Sequence, residues 1–429
     1  MRKLKILIGL VLLLLIFSAL TPLFSHEETA EVTTLETKTL VNPEAIRLYE
    51  LQKQALHTAL EAYFDKAIAS GDIVGAGVSI VKQDSIIISE GFGKKNIKLN
   101  NKVDGETVFR LGSLSKGFAG ILAATLTNEG KLHWDDKVSD FIPEFHLGNT
   151  PNPDRVTLAN ILSHTSGTPY HSYTNLVEAG MSLRDIAQRF KDVNPISAPG
   201  ATYSYQNAMF ALCEEMMHKV TGKNLSTLLQ DRFFKPLDMR TISMDNEALL
   251  QTGNVALPHA QSRNQFKTLQ LTNKYYNAVA AGGINASALD MAKWMRFLLG
   301  HNPEVMDKSA FQEAFNPFIE VGGRSHYYQK WSGHLASYYG YGWRIHKYLE
   351  GTSGEEKTIW HHGGSVNNYR NEIALFPEDD LGICVLLNSN SKLAQHVIPD
   401  LQKIVNDIYK SKSPELAVNH TDDKRKVVY

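Results

Sequence analysis

The chain has 429 residues with 43% hydrophobic and 21% charged side chains, which is ample for one large domain or two packed ones. Its 44 basic and 45 acidic residues leave a net charge of −1, which excludes an overall electrostatic attraction to nucleic acid or to an acidic membrane. Two cysteines, Cys213 and Cys384, cannot build a Cys-rich zinc site or a disulfide scaffold, and both stand in apolar-patterned segments that favour buried thiols.

The N-terminus opens with Arg2, Lys3 and Lys5, followed by an uncharged apolar run over 6–20 and then Thr21-Pro22. Residues 1–25 therefore read as an export signal or, extended through Leu23 and Phe24, as an N-terminal membrane anchor. The polar, Thr- and Glu-rich stretch 26–42 reads as a linker. Apolar residues at helical spacing (Leu48, Leu51, Ala55, Leu56, Leu60, Phe64) predict an amphipathic helix over 43–70. Two short runs, 76–81 and 85–90, predict a hairpin. Helical patterns dominate 111–300, with turn-rich breaks at 149–154 and 197–201. Strand-like runs return at 340–345, 358–361, 371–376 and 382–388, followed by an amphipathic helix over 393–409 and a charged, disordered tail over 411–429. The expected fold is α/β: an antiparallel sheet flanked by helices and built from both chain ends, with an all-helical domain inserted over about 113–335 of a folded part spanning 43–410.

Chemistry concentrates in three places. Between Arg110 and Glu129 the one charged side chain is Lys116, in a helix of small and apolar residues that should be buried. A buried ammonium must find a partner or lose its proton. With a helix starting near Ser113, the serine hydroxyl and Lys116 share one face three residues apart, a pairing suited to a nucleophile and its base. A bare S-x-x-K is more often an N-cap serine and a snorkelling lysine, so further partners are needed. Tyr205-Gln206-Asn207 follows the turn Ala198-Pro199-Gly200 and is able to aim a phenol and an amide into one cleft. A free phenol and a free lysine have similar pKa values, so Tyr205 and Lys116 could share a proton, although a core tyrosine with a satisfied hydroxyl is the bland alternative. Trp360-His361-His362-Gly363-Gly364 follows strand-like residues, and its glycines admit close approach to backbone N–H groups that could serve an oxyanion hole. Neighbours on a strand face opposite ways and no third ligand clusters with the histidines, so no metal site is expected.

The three pieces, in this order, resemble the serine β-lactamase and penicillin-binding protein superfamily, in its class C β-lactamase-like branch. The motifs S-x-x-K, Tyr-x-Asn and K-T-G or H-x-G correspond to Ser113–Lys116, Tyr205–Asn207 and His361-His362-Gly363, or to His362-Gly363-Gly364 one residue later. Leu162-Ser163-His164-Thr165-Ser166-Gly167, Ala281-Gly282-Gly283 and Tyr341-Gly342-Trp343 also look like the family's segments. The resemblance implies a cofactor-free acyl transfer with Ser113 as nucleophile and Lys116 and Tyr205 as the proton path. It further implies that Asn207, His361, His362, Gly363 and Gly364 bind the substrate, and that the N–H groups of Ser113 and Gly364 hold the oxyanion. A histidine where class C β-lactamases carry lysine favours small esters or D-residue peptides over antibiotics, with Arg344 or Arg370 as the nearest compensating cations. The alternatives are a β-lactamase, a D,D-carboxypeptidase, or a binding protein that forms an adduct without turnover. The expected partner is a small-molecule or peptide substrate, with no nucleic acid, and the N-terminal segment leaves membrane attachment open. No Gly-x-Ser-x-Gly elbow occurs, which argues against an α/β-hydrolase.

Overall fold

The computed structural model describes residues 43–148, 155–262, 265–323, 325–351 and 354–411, so the expectations for 1–42 and 412–429 lie outside the described residues. The chain divides into a unit Met1–Leu48 and a unit Tyr49–Tyr429; helix α1 (Pro43–Ala69) starts in the first, and all that follows concerns the second.

Twelve strands are described: β1 (Gly75–Lys82), β2 (Ser85–Gly93), β3 (Val108–Arg110), β4 (His259–Ser262), β5 (Gln265–Thr268), β6 (Asn285–Ser287), β7 (Ile319–Glu320), β8 (His334–Tyr339), β9 (Arg344–Glu350), β10 (Glu355–Val366), β11 (Tyr369–Phe376) and β12 (Leu381–Leu387). Eight of them form one antiparallel sheet in the order β2-β1-β12-β11-β10-β9-β8-β7. The N-terminal hairpin thus joins the C-terminal strands through β1 and β12, with Ala76 opposite Leu387.

Strand periodicity decides what covers each face. In β12, Ile383, Val385 and Leu387 join Leu56, Leu60 and Phe64 of α1 and Leu401, Val405 and Ile408 of the last helix, α4 (Val397–Lys410), in one core. The alternating Cys384 and Leu386 join Phe118, Ile121 and Leu122 of α2 (Ser115–Asn128) and Met291, Trp294 and Met295 of α3 (Ala288–Leu299) in the other. Helix α4 itself spans Val397–Lys410, after a 3₁₀ turn at Lys392–Gln395. Cys213 and Cys384 are buried free thiols.

Three expectations change. The stretch 113–335 is not all-helical: it contains the exposed β4–β5 hairpin, β6 paired with β3, and β7 at the sheet edge, while α3 covers the sheet with its apolar stripe. The run 340–345 is largely the turn between β8 and β9, reversed at Gly342 with φ +80°, and its buried aromatics pack as loop residues. Ser113 does not open the helix; it lies in a 3₁₀ turn, Gly112–Leu114, that feeds α2.

Candidate active site

Lys116 lies in the first turn of α2 and is 0% exposed. Its Nζ donates to Asn207 Oδ1 at 2.7 Å and to the Ala281 carbonyl at 2.7 Å, with Ser113 Oγ at 3.4 Å. None of these partners is a carboxylate. Burial therefore holds the amine well below the ordinary lysine range, and the Arg344 guanidinium lowers it further. A neutral amine has two N–H bonds and one lone pair. Asn207 and Ala281 take the two donors, which leaves the lone pair for the Ser113 hydroxyl.

Asn207 opens the short helix Asn207–Ala211, and its amide is oriented by Tyr275, whose hydroxyl accepts from Nδ2 at 3.2 Å; His171 Nδ1 stands at 3.5 Å. Tyr205 precedes it, separated by Gln206 in extended backbone, with its ring centroid 4.9 Å from Lys116 Nζ and its phenol next to Ser113. Burial pushes that phenol up to about 12, against the pull of Arg344 and of Ser113. This overturns the expectation of matched proton affinities: burial disfavours both charged forms, so it drives the lysine down and the tyrosine up. Behind Tyr205 the His164 ring lies tilted against it, with centroids 4.1 Å apart; its Nδ1 accepts from the Gln206 N–H at 3.2 Å, and burial holds its pKa well below normal.

The third segment lies on β10. Its pairing with β9 ends at His361 opposite Arg344, whereas its pairing with β11 runs on to Val366, so the edge of residues 362–366 has no strand partner on the β9 side. Two glycines let this strand approach the serine turn. A Cβ on Gly364 would come within 2.2 Å of the Leu111 carbonyl, and one on Gly112, at φ +57°, within 2.8 Å of the Ser365 backbone. His362 is buried and fixed as a neutral ring: Nδ1–H donates to the Gly363 carbonyl at 2.8 Å, and Nε2 accepts from the Tyr339 hydroxyl at 2.9 Å.

His361 is placed differently. Alternation turns it to the α4 face of the sheet, where it meets His346 and Glu372 and is 0% exposed. It is not brought together with Ser113, and the substrate-contact expectation fails for its side chain because of strand parity. Arg344, at the start of β9, lies 6.0 Å from the Tyr205 ring, 5.2 Å from Tyr328 and 5.8 Å from Tyr339, and its buried Nε and Nη1 have no hydrogen-bond partner. Arg370 is instead committed to Glu372 at 2.8 Å. Ser113, Lys116, Tyr205 and Asn207 thus converge, with Gly364 and Gly363 beside them on β10. Tyr275, His164 and His171 were not anticipated; the segment holding His164 was noticed, but its backbone at φ +60° and its ring contact with Tyr205 come from long-range packing. Among the described residues no group of three or more His, Cys, Asp or Glu is arranged to hold a metal ion.

The Beta-lactamase family profile matches residues 60–403. Protein flp of Staphylococcus aureus (strain MW2) is 25% identical over 370 residues, covering 84% of this chain and 68% of that protein. Unguisins hydrolase ungD' of Aspergillus campestris is 25% identical over 323 residues, covering 71% of this chain and 56% of that protein. Among solved structures, the octameric penicillin-binding protein homologue from Pyrococcus abyssi superposes with a TM-score of 0.68 at 23% identity, covering 80% of this chain and 77% of that one, which bears on the fold alone. The chain belongs to the beta-lactamase family.

Proposed function

We propose that this member of the beta-lactamase family is a serine hydrolase that forms a covalent acyl-enzyme on a small ester or on a peptide with D-residues. The observation that carries the reading is the buried lysine, held by an amide oxygen and a backbone carbonyl and by no carboxylate, with its Nζ 3.4 Å from the serine hydroxyl. In this reading Lys116 takes the Ser113 proton as Oγ attacks the carbonyl carbon, and the backbone N–H groups of Ser113 and Gly364 hold the oxyanion. The proton passes through the Tyr205 hydroxyl to the leaving group, the tyrosine staying neutral throughout because its pKa is pushed up to about 12. Water then attacks the acyl-enzyme by the reverse path.

Arg344 shapes the substrate class. Its guanidinium has unpartnered N–H groups and is the cation nearest the Tyr205 side of the cleft, so a substrate carrying a carboxylate is favoured. His361 is buried, neutral and turned to the other face, so it does not replace the lysine of K-T-G, and hydrolysis of penicillins and cephalosporins is expected to be weak. Export belongs to the same proposal: the basic start and the apolar run over 6–20 support a folded part outside the cytoplasmic membrane, reached by cleavage or by anchoring. The mass of the mature protein decides between the two.

The test is covalent labelling with a serine-directed fluorophosphonate. Ser113→Ala should abolish the adduct, whereas Ser115→Ala, which removes a hydroxyl accepting from the Ile284 N–H, should keep it. A labelled Ser113→Ala variant would reject the nucleophile. A cephalosporin, a p-nitrophenyl ester and a D-alanyl peptide compared on one preparation then rank the substrates; a preference for the cephalosporin by more than about tenfold, or about 1.4 kcal/mol, would reverse the substrate choice.

A further inference from the structure

On the α4 face of the sheet a row of polar side chains crosses four strands, β8 to β11. His334 Nε2 lies 2.7 Å from Ser337 Oγ, Ser337 Oγ 2.8 Å from His346 Nδ1, His346 Nε2 3.0 Å from His361 Nδ1, and His361 Nε2 2.8 Å from Glu372 Oε2. Ser337, His346, His361 and Glu372 are buried, whereas half-buried His334 lines a cavity of about 580 Å³ together with His346, Trp331, Tyr348 and Lys403 of α4. At the inner end Gly363 of β10 is directly opposite Glu372 of β11, and a Cβ on Gly363 would come within 3.0 Å of both carboxyl oxygens. The carboxyl therefore supports the strand that passes the serine turn.

With neutral rings the row admits two proton arrangements. If Glu372 is ionised, it must accept from His361 Nε2–H; His361 Nδ1 then accepts from His346 Nε2–H, His346 Nδ1 from the Ser337 hydroxyl, and that hydroxyl from His334 Nε2–H. If Glu372 is protonated, every hydrogen bond from Glu372 to Ser337 runs the other way and His346 and His361 carry their protons on Nδ1. The two arrangements differ by one proton and by no heavy-atom movement.

We propose that His334, Ser337, His346, His361 and Glu372 form a proton relay that carries a proton from the cavity beside α4 to the carboxylate beneath Gly363, and so sets the charge next to the cleft. A proton taken up at His334 Nδ1 displaces one from His334 Nε2 to Ser337 Oγ; the hydroxyl passes its own to His346 Nδ1, His346 Nε2 passes one to His361 Nδ1, and His361 Nε2 passes one to Glu372 Oε2. His334 is left neutral with its proton on Nδ1, and the row as a whole has gained the one proton now on Glu372. The groups facing Glu372 are His361 of β10, Arg370 of its own strand at 2.8 Å, the Tyr327 hydroxyl at 2.8 Å and Arg344 of β9, while the Cys384 thiol of β12 feels its charge from the other face of the sheet. Burial raises Glu372 to about 7 despite the pull of Arg370, Tyr327 and Arg344, and burial holds His346 and His361 well below the usual imidazole value, so the rings pass a proton on without keeping it. Below neutrality Glu372 is uncharged and Arg344 and Arg370 lose their counter-charge. Resting on the hydrolase reading, this makes the cleft more attractive to anionic substrates as pH falls, with no matching change for a neutral ester.

The relay is tested on the whole protein by nitrogen-15 NMR of labelled histidines between about pH 5.5 and pH 8.5, a range that brackets neutrality. His346 and His361 should exchange Nε2–H for Nδ1–H together, with a midpoint near that of Glu372 and without imidazolium shifts. Tautomers fixed across the range, or imidazolium at either ring, would overturn the relay. In Glu372→Gln the amide oxygen still accepts from His361, so both rings should stay Nε2–H at every pH; an exchange that survives would show that the proton does not end at Glu372. The KM for a carboxylate-bearing ester, divided by that for a neutral ester, should fall several-fold through the same midpoint in the wild type and be flat in Glu372→Gln. A flat wild-type ratio with exchanging tautomers would overturn the link to the cleft. The NMR readout needs no turnover, so it fails or stands separately from the labelling of Ser113.

Discussion

Lys116 and Lys357 are two almost fully buried lysines, 0% and 8% exposed, in the same domain. Lys357, on β10 at the end away from the cleft, lies between Glu350, at 2.5 Å, and Asp379, and these carboxylates raise its pKa above the ordinary lysine value even though burial acts the other way. Lys116 has an amide oxygen and a backbone carbonyl in the same positions and is driven down. Depth of burial thus does not decide whether a lysine serves as a charge or as a base; the partners do. At Lys357 folding retains a cation as an anchor for two acids. At Lys116 the protein tolerates an unpaired amine because its lone pair is what the serine requires.

Four substitutions break or sharpen this contrast. Lys116→Ala removes the base, and the acylation rate measured by stopped-flow with an activated ester should fall about 10³- to 10⁴-fold, at the upper end for general-base catalysis. Gly364→Ala leaves the lysine intact but forces a methyl into the Leu111 carbonyl, so kcat/KM should fall roughly 10²-fold, with a stability loss of about 1–3 kcal/mol in urea melts. Asn207→Asp gives Lys116 the carboxylate that Lys357 enjoys. Its pKa should rise, so the rate falls about tenfold at neutral pH and the acid limb of the pH–rate profile moves to higher pH by about one unit. An unmoved limb would refute the lone-pair assignment. Lys357→Met leaves kcat unchanged and costs about 1–2 kcal/mol of stability at neutral pH, because the acids it joins keep partial access to water. The sign follows from its raised pKa: the contribution is full below the unfolded lysine value of 10.5 and disappears as pH rises through the folded value, so the variant and wild type should converge only in strong alkali.

Local rules carried much of this structure into the sequence. The spacing of Ser113 and Lys116 puts them on one side of a turn whether it is α or 3₁₀, so their pairing was legible although the helix start was misplaced by two residues. The short runs 76–81 and 382–388 were legible as strands, and both faces of each are buried. What stayed hidden depends on register and on distant chain. Parity says that His361 and His362 face opposite ways, but only the pairing of β10 with β9 and β11 says which of them meets the cleft side. The Ala281 carbonyl reaches Lys116 across 165 positions of sequence and the Tyr275 hydroxyl reaches Asn207 across 68, and no local pattern encodes either meeting. The proton affinities of Lys116 and Tyr205 were misjudged because free-solution values ignore burial, which is known only once the fold encloses both groups.

The seam between β1 and β12 sets the order in which this molecule is able to form. Gly75–Lys82 leaves the ribosome long before Leu381–Leu387, yet the two strands lie side by side inside the sheet, second and third from one edge. Until β12 arrives, the early hairpin and the late β8–β11 block each present an unpaired strand edge, and closing the seam means bringing together residues more than 300 positions apart. High contact order of this kind slows folding and lengthens the time in which such edges stick to other chains. The nascent chain should therefore depend on holding factors up to the synthesis of its last strand, and a break in the chain anywhere before β12 should yield aggregate and no half-domain.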